Sequence, residues 1–279
     1  MLIDSHHHLW RYTSADYPWI SEAMPALKQD FWSTELRELA AANGVDGFVA
    51  VQARQTLDET QDLLDLADDL DLVHGVVGWV DFQSADIESQ IERFSSHSKL
   101  RGFRHVVQDE PDDRFILNNA FNRGIDALEG TGLVYDVLVY ARQLPATIEF
   151  VRCHPNIPMV IDHIAKPTIA GQVFDSPWQE NMSALAAFPN VTCKFSGVAT
   201  EVRDPEWSEE LIRPYWETVL ELFTPARLMF GSDWPVCLLR TDYTRWLHTA
   251  QSLAGKLSSS EQQQLFSSTA IETYQLEQP

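Results

Sequence analysis

Apolar runs of strand length alternate with segments of helical spacing along this chain. There are eight such runs, and each is followed by a helix or by a loop and a helix. The predicted strands lie at residues 1–10, 45–51, 73–80, 100–106, 133–139, 159–163, 191–195 and 227–230. Because this alternation produces parallel strands covered by helices, and eight units can close on themselves, it predicts an α/β fold of the (β/α)8 barrel type.

The segments between these runs show the apolar spacing of amphipathic helices. Helices are predicted at residues 34–43, 57–70, 86–94, 115–129, 143–153, 178–188, 206–223, 243–253 and 260–274. An aromatic loop, residues 10–32, is too long for a simple connection and could cover the barrel mouth. No linker divides the 279 residues, which predicts one domain over residues 1–279.

The charge and composition exclude several classes of partner. A formal net charge of −21 disfavours nucleic acid and anionic membranes, because a polyanion would be repelled. No apolar run is long enough to span a bilayer, no secretion signal is visible, and the three cysteines form no disulfide framework. We therefore expect a cytoplasmic protein that binds a small molecule, as a monomer or a homodimer.

Polar side chains recur where the predicted strands end. In a (β/α)8 barrel these carboxyl ends meet at one mouth, where active sites lie. The residues concerned are His6, His8, Asp81, Arg104, His105, Tyr135, Asp136, His163, Lys194 and Asp233. Packing alone does not require so many ionisable groups at strand ends, which favours a functional site.

Three histidines and one aspartate form a plausible ligand set. His6 and His8 share one face of an extended strand, whereas His7 points the other way. His163 in V-I-D-H-I-A-K-P and Asp233 in L-M-F-G-S-D-W-P each follow a buried run. The set suits one divalent cation of the zinc type, with Asp233 as the general base for a water molecule. The structural alternatives are buried hydrogen-bonded histidines and a helix cap at Asp233.

The basic and ambiguous positions leave alternatives open. Arg104 and Lys194 could hold a carboxylate or polarise a carbonyl, or each could pair with a neighbouring acid. Strand parity does not decide whether Tyr135 or Asp136 faces the barrel interior, and His105 is similarly ambiguous. No glycine-rich phosphate loop, G-x-S-x-G elbow or Cys/His pair is visible, which disfavours nucleotide and acyl-enzyme chemistry.

Five motifs together resemble one protein family. They are I-D-S-H-H-H-L-W, R-G-F-R-H-V-V-Q-D-E-P, V-I-D-H-I-A-K-P, K-F-S-G and F-G-S-D-W-P, spread over nearly the whole chain. The combination resembles the amidohydrolase superfamily and, within it, the branch of sugar-lactone hydrolases. The resemblance implies a (β/α)8 barrel in which water attacks a lactone carbonyl and Asp233 acts as the base.

The same resemblance implies roles for further residues. His6, His8 and His163 would bind a metal or hydrogen-bond the carbonyl directly, with Arg104 assisting substrate binding. Members with two metals use a lysine or glutamate that precedes the later histidines, whereas Lys166 and Lys194 follow His163 here. The resemblance therefore implies one divalent cation, zinc by preference, or none.

We thus expect hydrolysis of an aldonolactone, such as L-fucono- or L-rhamnonolactone, to the open sugar acid. Asp233 and His163 are the predicted catalytic residues, and His6, His8, His163 and Asp233 the ligands of any metal. The predicted substrate-binding residues are Arg104, His105, Asp136 and Lys194. Two alternatives stay open: a metal-dependent decarboxylase of an aromatic or unsaturated acid on the same barrel, and a non-catalytic sugar-binding protein.

Overall fold

The eight predicted strands form one parallel sheet in a computed structural model that describes residues 1–171 and 173–277. The strands are β1 (Ile3–His7), β2 (Gly47–Val51), β3 (Val73–Gly78), β4 (Leu100–His105), β5 (Val134–Val137), β6 (Met159–Ile161), β7 (Val191–Phe195) and β8 (Leu228–Phe230). They are hydrogen-bonded in chain order. The N–H of Asp233 donates to the carbonyl of His6 at 2.8 Å, and the N–H of His8 to that of Trp234 at 2.7 Å. These bonds join the segment after β8 to the end of β1, which confirms the (β/α)8 barrel.

Helices fill the connections, close to the predicted positions. They are α1 (Ser33–Asn43), α2 (Leu57–Asp69), α3 (Ile87–Ser95), α4 (Asn119–Asp126), α5 (Leu144–Cys153), α6 (Ser176–Ala186), α7 (Glu209–Arg227), α8 (Tyr243–Leu253), α9 (Ser259–Gln263) and α10 (Thr269–Tyr274). The predicted helix at 115–129 is shorter, because the side chain of Asn118 accepts the N–H groups of Ala120 and Phe121 and starts α4 there. A π-helical turn, Gln264–Ser268, divides the predicted closing helix.

The sixth strand ends two residues before its predicted end at His163. After β6 the chain turns, and four consecutive residues, His163 to Lys166, have positive φ angles of 52°, 48°, 57° and 49°. Side chains disfavour this left-handed backbone by about 1–2 kcal/mol per residue. The indole N–H of Trp178 donates to the carbonyl of Ile164 at 2.7 Å and helps to hold the turn. Such strain in a buried segment marks a position that the surrounding fold determines.

Apolar side chains fill two separate layers. The larger layer lies between the strands and the surrounding helices and loops. The smaller layer joins inward strand residues to the chain's last helix; it comprises Ile3, Val49, Val51, Val77, Val134, Val160, Met229, Ala270, Tyr274 and Leu276. The closing helix α10 therefore plugs one end of the barrel and leaves the other end for polar groups. Within the described residues, no helix combines the length and apolarity needed to cross a membrane.

Candidate active site

His6 and His8 meet at the end of the first strand. Their Nε2 atoms lie 3.2 Å apart, and both side chains are buried. The Nδ1 atom of His8 lies 2.8 Å from the carbonyl oxygen of Val51, so this nitrogen carries a proton and donates it to that oxygen. His7 turns away, since its Nδ1 lies 2.9 Å from the carbonyl oxygen of Val49. The predicted convergence of His6 and His8 is therefore present.

Asp233 and His163 complete a compact cluster with these two imidazoles. The Oδ1 atom of Asp233 lies 3.3 Å from Nε2 of His8, 3.8 Å from Nε2 of His6 and 3.9 Å from Nε2 of His163. Burial would raise the pKa of Asp233, but His163, His8 and His6 hold it below its ordinary value. Asp233 is thus a carboxylate at neutral pH, as a proton acceptor must be.

Burial keeps two imidazoles of this cluster uncharged. It lowers the pKa of His163 to about 4 and that of His6 well below its ordinary value. The Nδ1 atom of His163 lies 2.8 Å from the hydroxyl oxygen of Ser196, which orients the ring. Neutral imidazoles retain the lone pair that a metal ion or a hydrogen-bond donor requires.

A layer of charged groups lies beside the cluster, enclosed within the barrel. The Nζ atom of Lys194 lies 2.6 Å from Oδ2 of Asp136, 3.2 Å from Oδ1 of Asp162 and 3.2 Å from Nδ1 of His6. The hydroxyl of Tyr274 in α10 lies 2.8 Å from each oxygen of Asp136. All five side chains are fully buried. Lys194 therefore adopts the ion-pair alternative, and its predicted contact with substrate, like that of Asp136, stays a prediction.

Arg104 belongs to the same layer. Its Nη1 donates to Oδ2 of Asp162 at 3.0 Å and lies 3.3 Å from Nε2 of His6, while Nη2 donates to the carbonyl of Gln52 at 2.5 Å. Burial alone would raise the pKa of Asp162, but Lys194, His6 and Arg104 hold it well below its ordinary value. Arg104 also forms the ion pair considered as the alternative, and its role in substrate binding stays a prediction.

The pairing register of β4 and β5 shows which of their side chains point into the barrel, a question that the sequence left open. Arg104 in β4 is the register partner of Asp136 in β5, and both point into the barrel. Tyr135 points outward into the helix-facing core. His105 also points outward, since its ring stacks on Phe115 at 5.2 Å and its Nε2 lies 2.7 Å from Glu110. His105 is thus the predicted site residue that the structure does not bring to the cluster.

The aromatic loop at residues 10–32 packs against the rim of the barrel. Trp10 is buried among aromatic rings, with Trp19 and Phe31 at 5.7 Å and 5.5 Å, and Phe31 in turn contacts Trp234 at 5.1 Å. The indole N–H of Trp19 donates to the carbonyl of Ala53. Trp10 therefore closes the barrel wall beside His8, with the two ring centroids 6.5 Å apart.

Sequence reasoning missed two members of the buried network. Asp162 immediately precedes His163, and it reaches the barrel interior because the chain turns there instead of continuing as a strand. Tyr274 comes from the last helix and carries no motif. The two cations predicted at strand ends, Arg104 and Lys194, could have indicated a further acidic partner, because buried cations require carboxylate partners.

The donor atoms of the cluster fit a cation. Arg104 can only donate a hydrogen bond, so Nε2 of His6 presents a lone pair to it. The Nε2 atom of His8 lies 3.3 Å from Oδ1 of Asp233, and it is the ring nitrogen left to face the cluster because Nδ1 donates to the carbonyl of Val51. Ligand atoms of His6, His163 and Asp233 lie within 4.8 Å of one another, a spacing compatible with a shared metal ion. Several acceptors that face one another in a buried site favour a positive ion among them.

The fold and this cluster define an enzyme built on a (β/α)8 barrel, with imidazoles and a carboxylate gathered at the carboxyl ends of the strands. This chain belongs to the amidohydrolase family, whose sequence profile matches residues 3–276.

Known relatives extend over almost the whole chain. An L-fucono-1,5-lactonase of Burkholderia multivorans is 40% identical, covering 99% of this chain and 97% of the relative. An L-fucono-1,5-lactonase of Burkholderia ambifaria is 37% identical, covering 99% and 96%. The crystal structure of an amidohydrolase from Burkholderia multivorans with bound zinc has a TM-score of 0.95 at 39% identity, covering 99% of this chain and 100% of that one. The predicted family is thereby confirmed.

Proposed function

We propose that this protein is a lactonase that hydrolyses a sugar lactone of the L-fucono-1,5-lactone type to the open acid. The observation that carries the proposal is the Asp233 carboxylate, placed against three imidazoles at the carboxyl ends of the barrel strands. The substrate class is supported by two full-length relatives, at 40% and 37% identity, that are named L-fucono-1,5-lactonase.

Asp233 accepts and returns the proton in the proposed reaction. The carboxylate takes a proton from water as the water oxygen bonds to the lactone carbonyl carbon. When the tetrahedral intermediate collapses, the bond from that carbon to the ring oxygen breaks. The protonated Asp233 then gives its proton to the ring oxygen. The carboxylate is restored, and the product is an open-chain hydroxy acid.

The remaining residues of the site hold the reacting groups in place. His6, His8 and His163, together with Asp233, would hold one divalent cation of the zinc type, which when bound polarises the carbonyl of the lactone. Arg104 and Asp162 fix the ring of His6, and Ser196 fixes that of His163. Orientation by buried partners keeps these imidazoles in their positions during turnover.

The assay for this proposal follows acid release from L-fucono-1,5-lactone and related aldonolactones with a pH indicator. We expect a rate well above spontaneous hydrolysis for a 6-deoxy-sugar lactone, and a repeat after exhaustive chelation decides whether a cation is required. No acid above the spontaneous rate from any lactone would contradict the proposal. Release of CO₂ from aromatic acids would then favour the decarboxylase alternative.

Replacing Asp233 with Asn tests its role as the base. The amide cannot accept a proton from water, so we expect kcat to fall by about 10²–10⁴-fold with the fold retained. Asp69→Asn, on the exposed face of α2, is the control and should retain full activity. Equal activity of Asp233→Asn and the wild type would remove Asp233 from the mechanism.

Four expectations from the sequence stay predictions. They concern the cytoplasmic location, the absence of a nucleic-acid partner, the monomeric or homodimeric state and the extent of the single domain over residues 1–279.

A further inference from the structure

The buried layer contains a second group of metal-type ligands. His6, Asp136 and Asp162 each offer one ligand atom, all within 4.8 Å of one another, and all three side chains are fully buried. This group shares His6 with the cluster around Asp233, so the two groups adjoin. Two carboxylates and an imidazole are a donor set suited to a divalent cation.

The ammonium of Lys194 already lies among these ligands. Its Nζ is 2.6 Å from Asp136, 3.2 Å from Asp162 and 3.2 Å from Nδ1 of His6. The ring of Tyr274 lies 5.1 Å from Nζ on a further side. The positive charge is therefore enclosed by the atoms that would otherwise surround a metal ion.

Hydrogen-bond directions show how the ammonium coexists with His6. Because the Lys194 ammonium can only donate hydrogen bonds, it donates them to the two carboxylates. Nδ1 of His6 lies 3.3 Å from Oδ1 of Asp162 and can donate its proton there. This assignment leaves the lone pair on Nε2, facing Arg104 and the Asp233 cluster. The ammonium thus satisfies the carboxylates while His6 keeps its ligand atom for the other site.

We propose that the ammonium of Lys194 takes the place of a second divalent cation, so that the barrel accepts one cation at most, and that its removal opens a second cation site at His6, Asp136 and Asp162. An ion bound there displaces the Nδ1 proton of His6 to solvent, and the imidazolate then bridges the two sites. Charge supports this reading. Arg104 and Lys194 supply two positive charges beside three carboxylates, those of Asp136, Asp162 and Asp233. Loss of Lys194 leaves one cation for three anions in a buried space, which favours capture of a metal ion. The inference rests on these contacts and is independent of which substrate is hydrolysed.

The test counts zinc ions bound by the full-length protein. Wild type, Lys194→Ala and the double variant Lys194→Ala/Asp136→Asn are dialysed against Zn²⁺ and then against metal-free buffer, and the zinc in each chain is measured by elemental analysis. We expect Lys194→Ala to retain one zinc ion more than wild type, and the double variant to lose that gain. Lys166→Ala is the matched control, because Lys166 also follows a strand and lies 4.0 Å from an acid, Glu201. It should bind as much zinc as wild type.

Thermal unfolding with and without Zn²⁺ tests the proposal even if Lys194→Ala folds poorly. If Lys194→Ala is unfolded in metal-free buffer, Zn²⁺ should restore the fold, since the ion replaces the lost charge. The same zinc content in folded Lys194→Ala and wild type would overturn the proposal. Failure of Lys194→Ala to fold even with Zn²⁺ would overturn it too, as would an equal gain in the double variant. None of these measurements uses turnover, so a failed lactonase assay would leave their result intact.

Discussion

At the scale of single residues, Asp162 is the carboxylate that holds the charged layer together. It lies 3.0 Å from Nη1 of Arg104, 3.2 Å from Nζ of Lys194 and 3.3 Å from Nδ1 of His6. Both cations are buried, and removing one partner from a buried ion pair leaves an uncompensated charge.

Asp162→Asn should therefore destabilise the protein strongly. We expect the free energy of unfolding to fall by about 3–5 kcal/mol, as measured by urea denaturation. The control is Asp113→Asn, which weakens an exposed pair at 2.8 Å from Arg142 and should cost less than about 1 kcal/mol. Similar losses of unfolding free energy in the two variants would show that Asp162 does not stabilise the charged layer.

Single residues also show how far sequence reasoning reaches. His6, His8, His163 and Asp233 could be predicted because each follows an apolar run and the barrel brings the strand ends together. Asp162 could not be predicted, because neighbouring residues of a strand point to opposite faces, which would separate Asp162 from His163. Both side chains point inward only because the chain makes a left-handed turn there. The direction of His105 required the register between β4 and β5, which the sequence does not specify.

At the scale of elements, the turn after β7 controls the space beside the cluster. Gly197 has a φ angle of 63°, and a β-carbon there would lie 2.7 Å from Nδ1 of His163 and 2.9 Å from Oδ2 of Asp233. Only glycine combines this backbone with so close an approach.

Gly197→Ala should thus impair both stability and turnover. The left-handed backbone costs about 1–2 kcal/mol with a side chain, and displaced His163 and Asp233 should lower kcat by about 10²-fold. Gly44→Ala provides the control, because Gly44 has a φ angle of 65° with no atom within 4 Å of the added carbon. We expect it to lose a similar amount of stability and to keep its activity. Equal kcat in the two variants would contradict the steric argument.

The start of helix α2 contains an unusual buried acid. Oε2 of Glu59 accepts the N–H groups of Ala53 and Arg54, which ties the end of β2 to α2, while Oε1 accepts no hydrogen bond from the described residues. Burial raises the pKa of Glu59 to about 8, although these N–H groups lower it. The folded protein therefore keeps a proton that the unfolded chain releases above the ordinary pKa of 4.5.

It follows that Glu59 makes stability fall as pH rises between about 4.5 and about 8, by up to about 1.4 kcal/mol per pH unit. Glu59→Gln does not titrate, so its stability relative to wild type should improve from about pH 5 to about pH 8. Urea unfolding at the two pH values measures the difference. Glu88→Gln, exposed in the first turn of α3, should follow the wild-type pH dependence. Parallel curves for Glu59→Gln and wild type would contradict the expectation.

At the scale of the whole molecule, the two ends of the described chain meet inside the barrel. β1 provides His6 and pairs with the segment after β8, while α10 inserts Tyr274 and packs on the inward side chains of the strands. Strand–helix alternation could predict the closed barrel. It could not predict the plug, because α10 follows the eighth strand–helix unit and the alternation does not specify where such an additional helix packs.

Tyr274→Phe tests whether the plug stabilises the charged layer. Loss of a hydrogen bond to a charged group should lower the free energy of unfolding by about 1.5–3 kcal/mol, measured in urea. Tyr12→Phe is the control; Tyr12 is half-buried in the loop between β1 and α1, so little change is expected. Equal stability of Tyr274→Phe and wild type would mean that Asp136 does not need this donor.

The position of Tyr274 also has a consequence for how the protein is made. A ribosome synthesises β1 before α10, so the growing chain carries His6 and His8 long before the partner of Asp136 emerges from the exit tunnel. Until then the ion pair between Asp136 and Lys194 lacks its third member. Nascent chains stalled before Tyr274 should bind and turn over substrate poorly, and activity should arrive in a single step once Tyr274 has left the tunnel and reached Asp136.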